Sequence, residues 1–126
     1  MKFTDGNWLL QPGVVAHYPA EVHDAAVSGR GLVFHAPVRP IRHRGDTLQG
    51  PLLTIRIDSP MTDVIRVRIE HLTGTAETGP HIPLFPERKP KLSIKVTDRE
   101  AILRSGGLSA HVLRGQGWGV SFQSGG

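Results

Sequence analysis

The stretch Asp63-Val64-Ile65-Arg66-Val67-Arg68-Ile69-Glu70-His71 decides the fold class. Ile65, Val67 and Ile69 alternate with Arg66, Arg68 and Glu70, the period of two that places one face of a strand on a core and the other in water. Such a strand needs a second layer over its apolar face, and the surrounding text supplies further strands rather than helices. The segment that follows carries Gly74, Gly79-Pro80, Pro83 and Pro86, residues that restrict a loop to few conformations, so the sequence predicts a shaped connection.

Upstream, Leu52 to Asp58 repeats the pattern, with Leu53, Ile55 and Ile57 inward and Thr54, Arg56 and Asp58 outward. Ser59-Pro60 to Thr62 reads as a short link, so these two strands should pair or face each other. Ala20 to Val27 and Leu32 to Ala36 flank Ser28-Gly29-Arg30-Gly31 and predict a hairpin. Asn7 to Leu10, closed by Gln11-Pro12-Gly13, predicts a first edge strand, with Val14 to Tyr18 extended up to Pro19. Pro37 to Pro51 holds three prolines and two glycines and reads as a connection. Downstream, Leu92, Ile94 and Val96 face inward, Asp98-Arg99 turns the chain, and Glu100 to Arg104 returns. Gly106-Gly107 predicts a tight turn into Leu108, Ala110 and Val112, and Arg114 to Gly117 leads to Trp118, Val120 and Phe122.

No segment keeps a helical period over three turns. The prediction is an all-β protein, an antiparallel β-sandwich formed by residues 1–126 as one domain. Its core should hold Ile55, Ile57, Ile65, Val67, Ile69, Leu92, Ile94, Val96, Ala110, Val112, Val120 and Phe122. A chain of 126 residues can bury roughly two thirds of the surface it exposes when unfolded.

The absence of cysteine removes disulfides, thiolate catalysis and cysteine-ligated zinc, and fits a reducing cytoplasm. No apolar run approaches the ~20 residues that span a bilayer, so no membrane partner is expected. The net charge of +4 and pI near 10.1 raise the question of nucleic acid. Only Arg39, Arg42, His43 and Arg44 cluster, whereas Arg66, Arg68, Lys91, Lys95 and Arg104 alternate singly with apolar residues and read as solvated strand faces. With one Tyr, two Trp and four Phe, a platform for stacking bases is thin, and no nucleic-acid partner is expected.

Seven histidines include no His-x-His or His-x-x-x-His spacing, so neither a metal nor another cofactor is expected. His71 and His81 flank the shaped loop and form the pair to watch. Glycoside chemistry needs two carboxylates within roughly 5 to 10 Å, and the candidates Glu70 and Glu77 read instead as a strand end and a loop tip. No nucleophile elbow, phosphate loop or dinucleotide fingerprint occurs. Trp8 and Trp118 could stack on sugars if exposed, but Trp118 shares its face with Val120 and Phe122 and reads as a core residue.

Three groups of residues, taken together, resemble the N-terminal region of family 31 glycoside hydrolases, most closely the bacterial α-xylosidases. They are Asp5-Gly6-Asn7-Trp8-Leu9 with Gln11-Pro12-Gly13; Val67-Arg68-Ile69-Glu70-His71 with Gly74, Gly79-Pro80-His81 and Pro83-Leu84; and Ser105-Gly106 with Leu108-Ser109-Ala110, Val112, Trp118 and Phe122. The resemblance implies a galactose-mutarotase-like N-terminal sandwich, incomplete within these residues, placed before the (β/α)₈ barrel of a retaining α-glycosidase. The family's catalytic aspartates lie on that barrel. No residue here matches them, so none is assigned a catalytic role.

The expected function is therefore that of a non-catalytic accessory domain that packs on the catalytic barrel of the same full-length chain and helps wall its carbohydrate cleft. Trp8, Tyr18, His71 and His81 are the candidate contacts to carbohydrate or barrel. Two alternatives are a free-standing carbohydrate-binding module, tested at Trp8 and Tyr18, and a basic nucleic-acid binder using Arg39 to Arg44. An unfinished sandwich edge also leads us to expect that these residues alone form a homodimer.

Overall fold

The computed structural model describes residues 9–71, 89–115 and 117–125. Among these residues, eight strands form two antiparallel four-stranded sheets. The first contains β1 (Asp24–Ser28), β2 (Gly31–Pro37), β3 (Leu52–Met61) and β4 (Val64–Glu70), in that spatial order. The second contains β5 (Leu92–Val96), β6 (Glu100–Ser105), β7 (Leu108–Leu113) and β8 (Gly119–Ser124), likewise in sequence order. Each sheet is thus a meander of consecutive strands, and among the described strands the chain passes from one layer to the other once, between β4 and β5.

The core follows the alternation of the central strands. Leu32, Phe34 and Ala36 of β2 meet Leu53, Ile55 and Ile57 of β3 on one side, and Ala101, Leu103, Ala110 and Val112 of β6 and β7 close it from the other. Trp118 packs edge-on against Phe34, ring centroids 6.4 Å apart. The buried Ser59 and Ser105 hydroxyls hydrogen-bond to each other at 2.8 Å across the two layers, so neither is left without a partner.

At one end a turn-to-turn contact joins the layers. Asp63, in the β3–β4 turn, adopts φ 61°, a left-handed conformation that aspartate tolerates better than most residues. Its Oδ1 accepts a 2.7 Å bond from the Gly107 amide in the β6–β7 turn. Gly106 needs φ 59° and lies so close to Asp63 that a Cβ there would collide with the carboxylate.

Several expectations are corrected. Ser59-Pro60 is part of β3, which continues to Met61, and a register shift between Asp58 and Met61 lets the proline sit where no amide donor is needed. Of the expected first strand, Asn7 and Trp8 lie outside the described residues, and Leu10 makes only an isolated bridge. Val14 to Tyr18 forms no strand.

The largest correction concerns the core. Val67 and Ile69 are 39% and 57% exposed, and Val120 and Phe122 are 39% and 52% exposed. Their faces were read correctly: Val67 pairs with Ile57, Ile69 with Ile55, Val120 with Val112 and Phe122 with Ala110, all buried partners. What these four lack is cover. The layers meet β1 on β5, β2 and β3 on β6, and β4 on β7, so β8 with Val120 and Phe122 lies beyond the main stacking. On β4 it is Ile65, near the Asp63 turn, that reaches the core, and Val67 and Ile69 lie farther along the strand. Ile65, Ile94 and Val96 are partly buried against the core as expected, and Leu92 is half-buried.

Candidate functional site

The first sheet ends in an irregular shoulder where β2 leaves at Pro37, β3 enters at Leu52 and β4 stops at Glu70. Two concavities lie there. A shelf of 310 Å³ is lined by Val15 to Tyr18 on one side and by Val38, Arg39 and Gln49 to Pro51 on the other. A smaller slot of 190 Å³ lies beyond Val38 and Pro51, walled by Pro37, Ile41 and Leu52 and by the 3-10 helix Arg44–Leu48. The divider is narrow because the Val38 amide bonds the Pro51 carbonyl at 3.4 Å and a Cβ on Gly50 would lie 2.7 Å from Val38 Cγ2. Only glycine permits that approach.

Two carboxylates fasten this shoulder. Glu21 accepts the Ile41 amide at 2.8 Å and the Arg42 guanidinium at 2.9 Å. The Ile41 amide first, and Arg42 second, hold its carboxyl below the usual glutamate range. Asp46 accepts the amides of Arg42 and His43 at 2.8 and 3.0 Å, while His43 Nδ1 accepts the Gly45 amide, closing a capping box on the short helix. Glu21, kept ionised by an amide and a guanidinium donor, serves to hold structure rather than to deliver protons. Asp58 is a second lowered carboxyl, held down chiefly by its hydrogen bond from Arg66, with Arg68 adding to it.

Tyr18 is 73% exposed at the shelf. The ring of its neighbour His17 stacks on His71 with centroids 5.9 Å apart and planes 25° apart, tying the segment before β1 to the end of β4. The structure therefore brings Tyr18 and His71 to one neighbourhood. Trp8 and His81, like Glu77 and the proline-rich loop, lie outside the described residues. Trp118 takes its expected packing role. Glu70 lies 3.8 Å from Arg56 Nε, a loose ion pair on the outer face of the sheet.

His17, Arg39 and Gln49 were not singled out from the sequence as contacts at one site. Arg39 stood in the basic cluster, but that cluster divides: Arg42 is paired with Glu21, whereas Arg39 has no hydrogen bond or ion pair among the described residues and lines both concavities. No cluster of three metal-binding side chains occurs among the described residues. The arrangement can hold a ligand against an exposed aromatic ring and an available guanidinium.

No family model matches the chain. Over 108 residues, 86% of its length, it is 38% identical to a protein of Lactiplantibacillus pentosus named alpha-xylosidase XylQ. Over 84 residues, 67% of its length, it is 36% identical to an alpha-xylosidase of Emericella nidulans. The matched segments make up only 14% and 11% of those two relatives.

Proposed function

We propose that this chain, which is homologous over most of its length to a short segment of the α-xylosidases, is a non-catalytic accessory sandwich of an α-xylosidase-like retaining glycosidase. In this role it packs on the catalytic barrel of the same polypeptide and helps shape the carbohydrate cleft. The observation that carries the proposal is the 108-residue match, which covers almost all of this chain and so little of the relative. The uncovered side formed by Val67, Ile69, Val120 and Phe122 supports it, because apolar residues on core-facing sides of paired strands have no use for solvent. In the parent enzyme that side is covered by the rest of the polypeptide. The 126 residues alone cover it by pairing with a second copy.

Trans-complementation tests the role. The L. pentosus relative, trimmed of the segment that matches this chain, is mixed with the 126-residue chain and assayed on an aryl α-xyloside. The chain alone is expected to give no turnover, the trimmed enzyme little, and the mixture a recovery that tracks complex formation. Full activity of the trimmed enzyme without the chain would refute the accessory role, and turnover by the purified chain would refute its non-catalytic nature. A second reading, a carbohydrate-binding module, rests on the exposed Tyr18 at the shelf and is tested by oligosaccharide titration of the chain.

A further inference from the structure

We propose that the shelf beside Tyr18 is a subsite for an acidic pyranose, a uronic acid residue carried on a glycan, with Tyr18 as its stacking surface and Arg39 as its carboxylate clamp. The inference deepens the carbohydrate reading and is independent of whether the chain docks on a barrel.

The inventory of donors and acceptors decides the class of sugar. A neutral pyranose presents hydroxyls that both donate and accept, so a site for it needs acceptors, commonly carboxylates, among its walls. Among the described residues, no carboxylate lines this shelf. Asp46 lines the slot on the far side of Val38, where it already accepts two backbone amides and lies 3.2 Å from His43 Nε2. Glu21 is likewise held by Ile41 and Arg42. The shelf offers instead the five N–H donors of Arg39, the amide of Gln49 and the ring of His17. A donor-rich wall suits an acceptor-rich ligand, and a guanidinium binds a carboxylate with two parallel charge-assisted bonds.

Arg39 is also the arginine that lines the shelf, and its guanidinium has no hydrogen bond or ion pair among the described residues, unlike several other arginines of this sheet. Arg42 is engaged by Glu21, Arg66 and Arg68 by Asp58, and Arg56 faces Glu70. The 73% exposed Tyr18 ring offers an apolar face to the C–H side of a pyranose. A volume of 310 Å³ lies at the lower end of small-ligand sites, matching one sugar unit with its chain running out to solvent.

The test titrates the full 126-residue chain with a xylo-oligosaccharide bearing one glucuronic acid and with the same compound after carboxyl reduction, following backbone amide shifts by NMR. The acidic ligand is expected to bind about ten- to a hundredfold tighter, the range for hydrogen bonds to a charged group. Shifts should centre on residues 15–18, 38–39 and 49–51. Arg39→Gln should remove the preference, and Tyr18→Ala should weaken both ligands, while the amide spectrum of each variant shows the fold intact. Equal affinity for the two ligands, a preference that survives Arg39→Gln, or shifts centred elsewhere would overturn the proposal. So would equally tight binding of free acetate or an acidic peptide, which would make the shelf a general anion site. None of these outcomes bears on trans-complementation, so failure here is distinct from failure of the accessory role.

Discussion

The centre of the sandwich and its open side are built from the same residue types in the same alternation, yet one is sealed and the other wet. Ile57 is fully buried, and its registered partner Val67 on β4 is 39% exposed. Ala110 is fully buried, and its partner Phe122 on β8 is 52% exposed. Alternation therefore records which way a side chain points, whereas burial depends on whether the opposite sheet extends far enough to meet it.

Core truncation gives the widest contrast. Phe34→Ala should destabilise the chain by about 3–5 kcal/mol, because Phe34 is fully buried and carries the edge contact with Trp118. Ile69→Ala, with its side chain mostly in water, should cost under ~1 kcal/mol. Urea denaturation of both variants measures the difference, and similar losses would mean that the open side is closed in solution. Phe122→Asp sharpens the same contrast from the other direction. It should leave monomer stability nearly unchanged while lowering self-association by at least about tenfold, read by sedentimentation velocity over a concentration series. A monomeric wild type at high concentration would remove the homodimer from consideration.

Next in size is the latch between turns. Asp63→Ala removes the acceptor for the Gly107 amide and leaves alanine at a positive φ, at a cost of about 1–2 kcal/mol. Asp63→Gly relieves the backbone but not the lost bond and should fall between that variant and wild type.

The smallest effect is on pH dependence at the outer face. Arg66 first, with Arg68, lowers the Asp58 pKa from its ordinary value of 3.8. A depressed carboxylate contributes stability that is complete above the unfolded value and is lost as pH falls through the folded one. The stability gap between wild type and Asp58→Asn should thus be constant at pH 5 and above and shrink as pH drops below about 4. A gap that stays constant down to pH 2 would show that the Asp58 pair adds nothing beyond packing.

Much of the architecture was legible because strands announce themselves locally. The β1–β2 hairpin, the pairing of β3 with β4 and the β5–β8 meander follow from alternation and from turns at Gly29-Arg30 and Gly106-Gly107. Ala101 and Leu103 escaped the expected core because Ala101-Ile102-Leu103 is continuously apolar and gives no period from which to choose a face. Val67, Ile69, Val120 and Phe122 misled for the opposite reason: their period is clear, but how much of each strand the opposite layer covers is a property of stacking that no single strand encodes. The shelf was legible only at Tyr18 and His71. Arg39 and Gln49 reach it through an irregular connection whose path is set locally by the His43–Asp46 capping box and at long range by Glu21 accepting the Ile41 amide, a bond without a spacing signature.

The ordering of strands within each sheet has a consequence for how the chain can be divided. Since β1 to β4 form one meander and β5 to β8 the other, every ladder joins neighbours in sequence, and the layers meet through side chains, the Ser59–Ser105 bond, the Trp118 amide to Ala20 carbonyl bond and the Asp63–Gly107 latch. Ladders of such short range form quickly, leaving the docking of two prebuilt halves as the slower event. A cut between β4 and β5 severs no ladder among the described residues, so two separately expressed pieces should find each other and reconstitute the domain, with an affinity that reports directly on the strength of the interlayer seam.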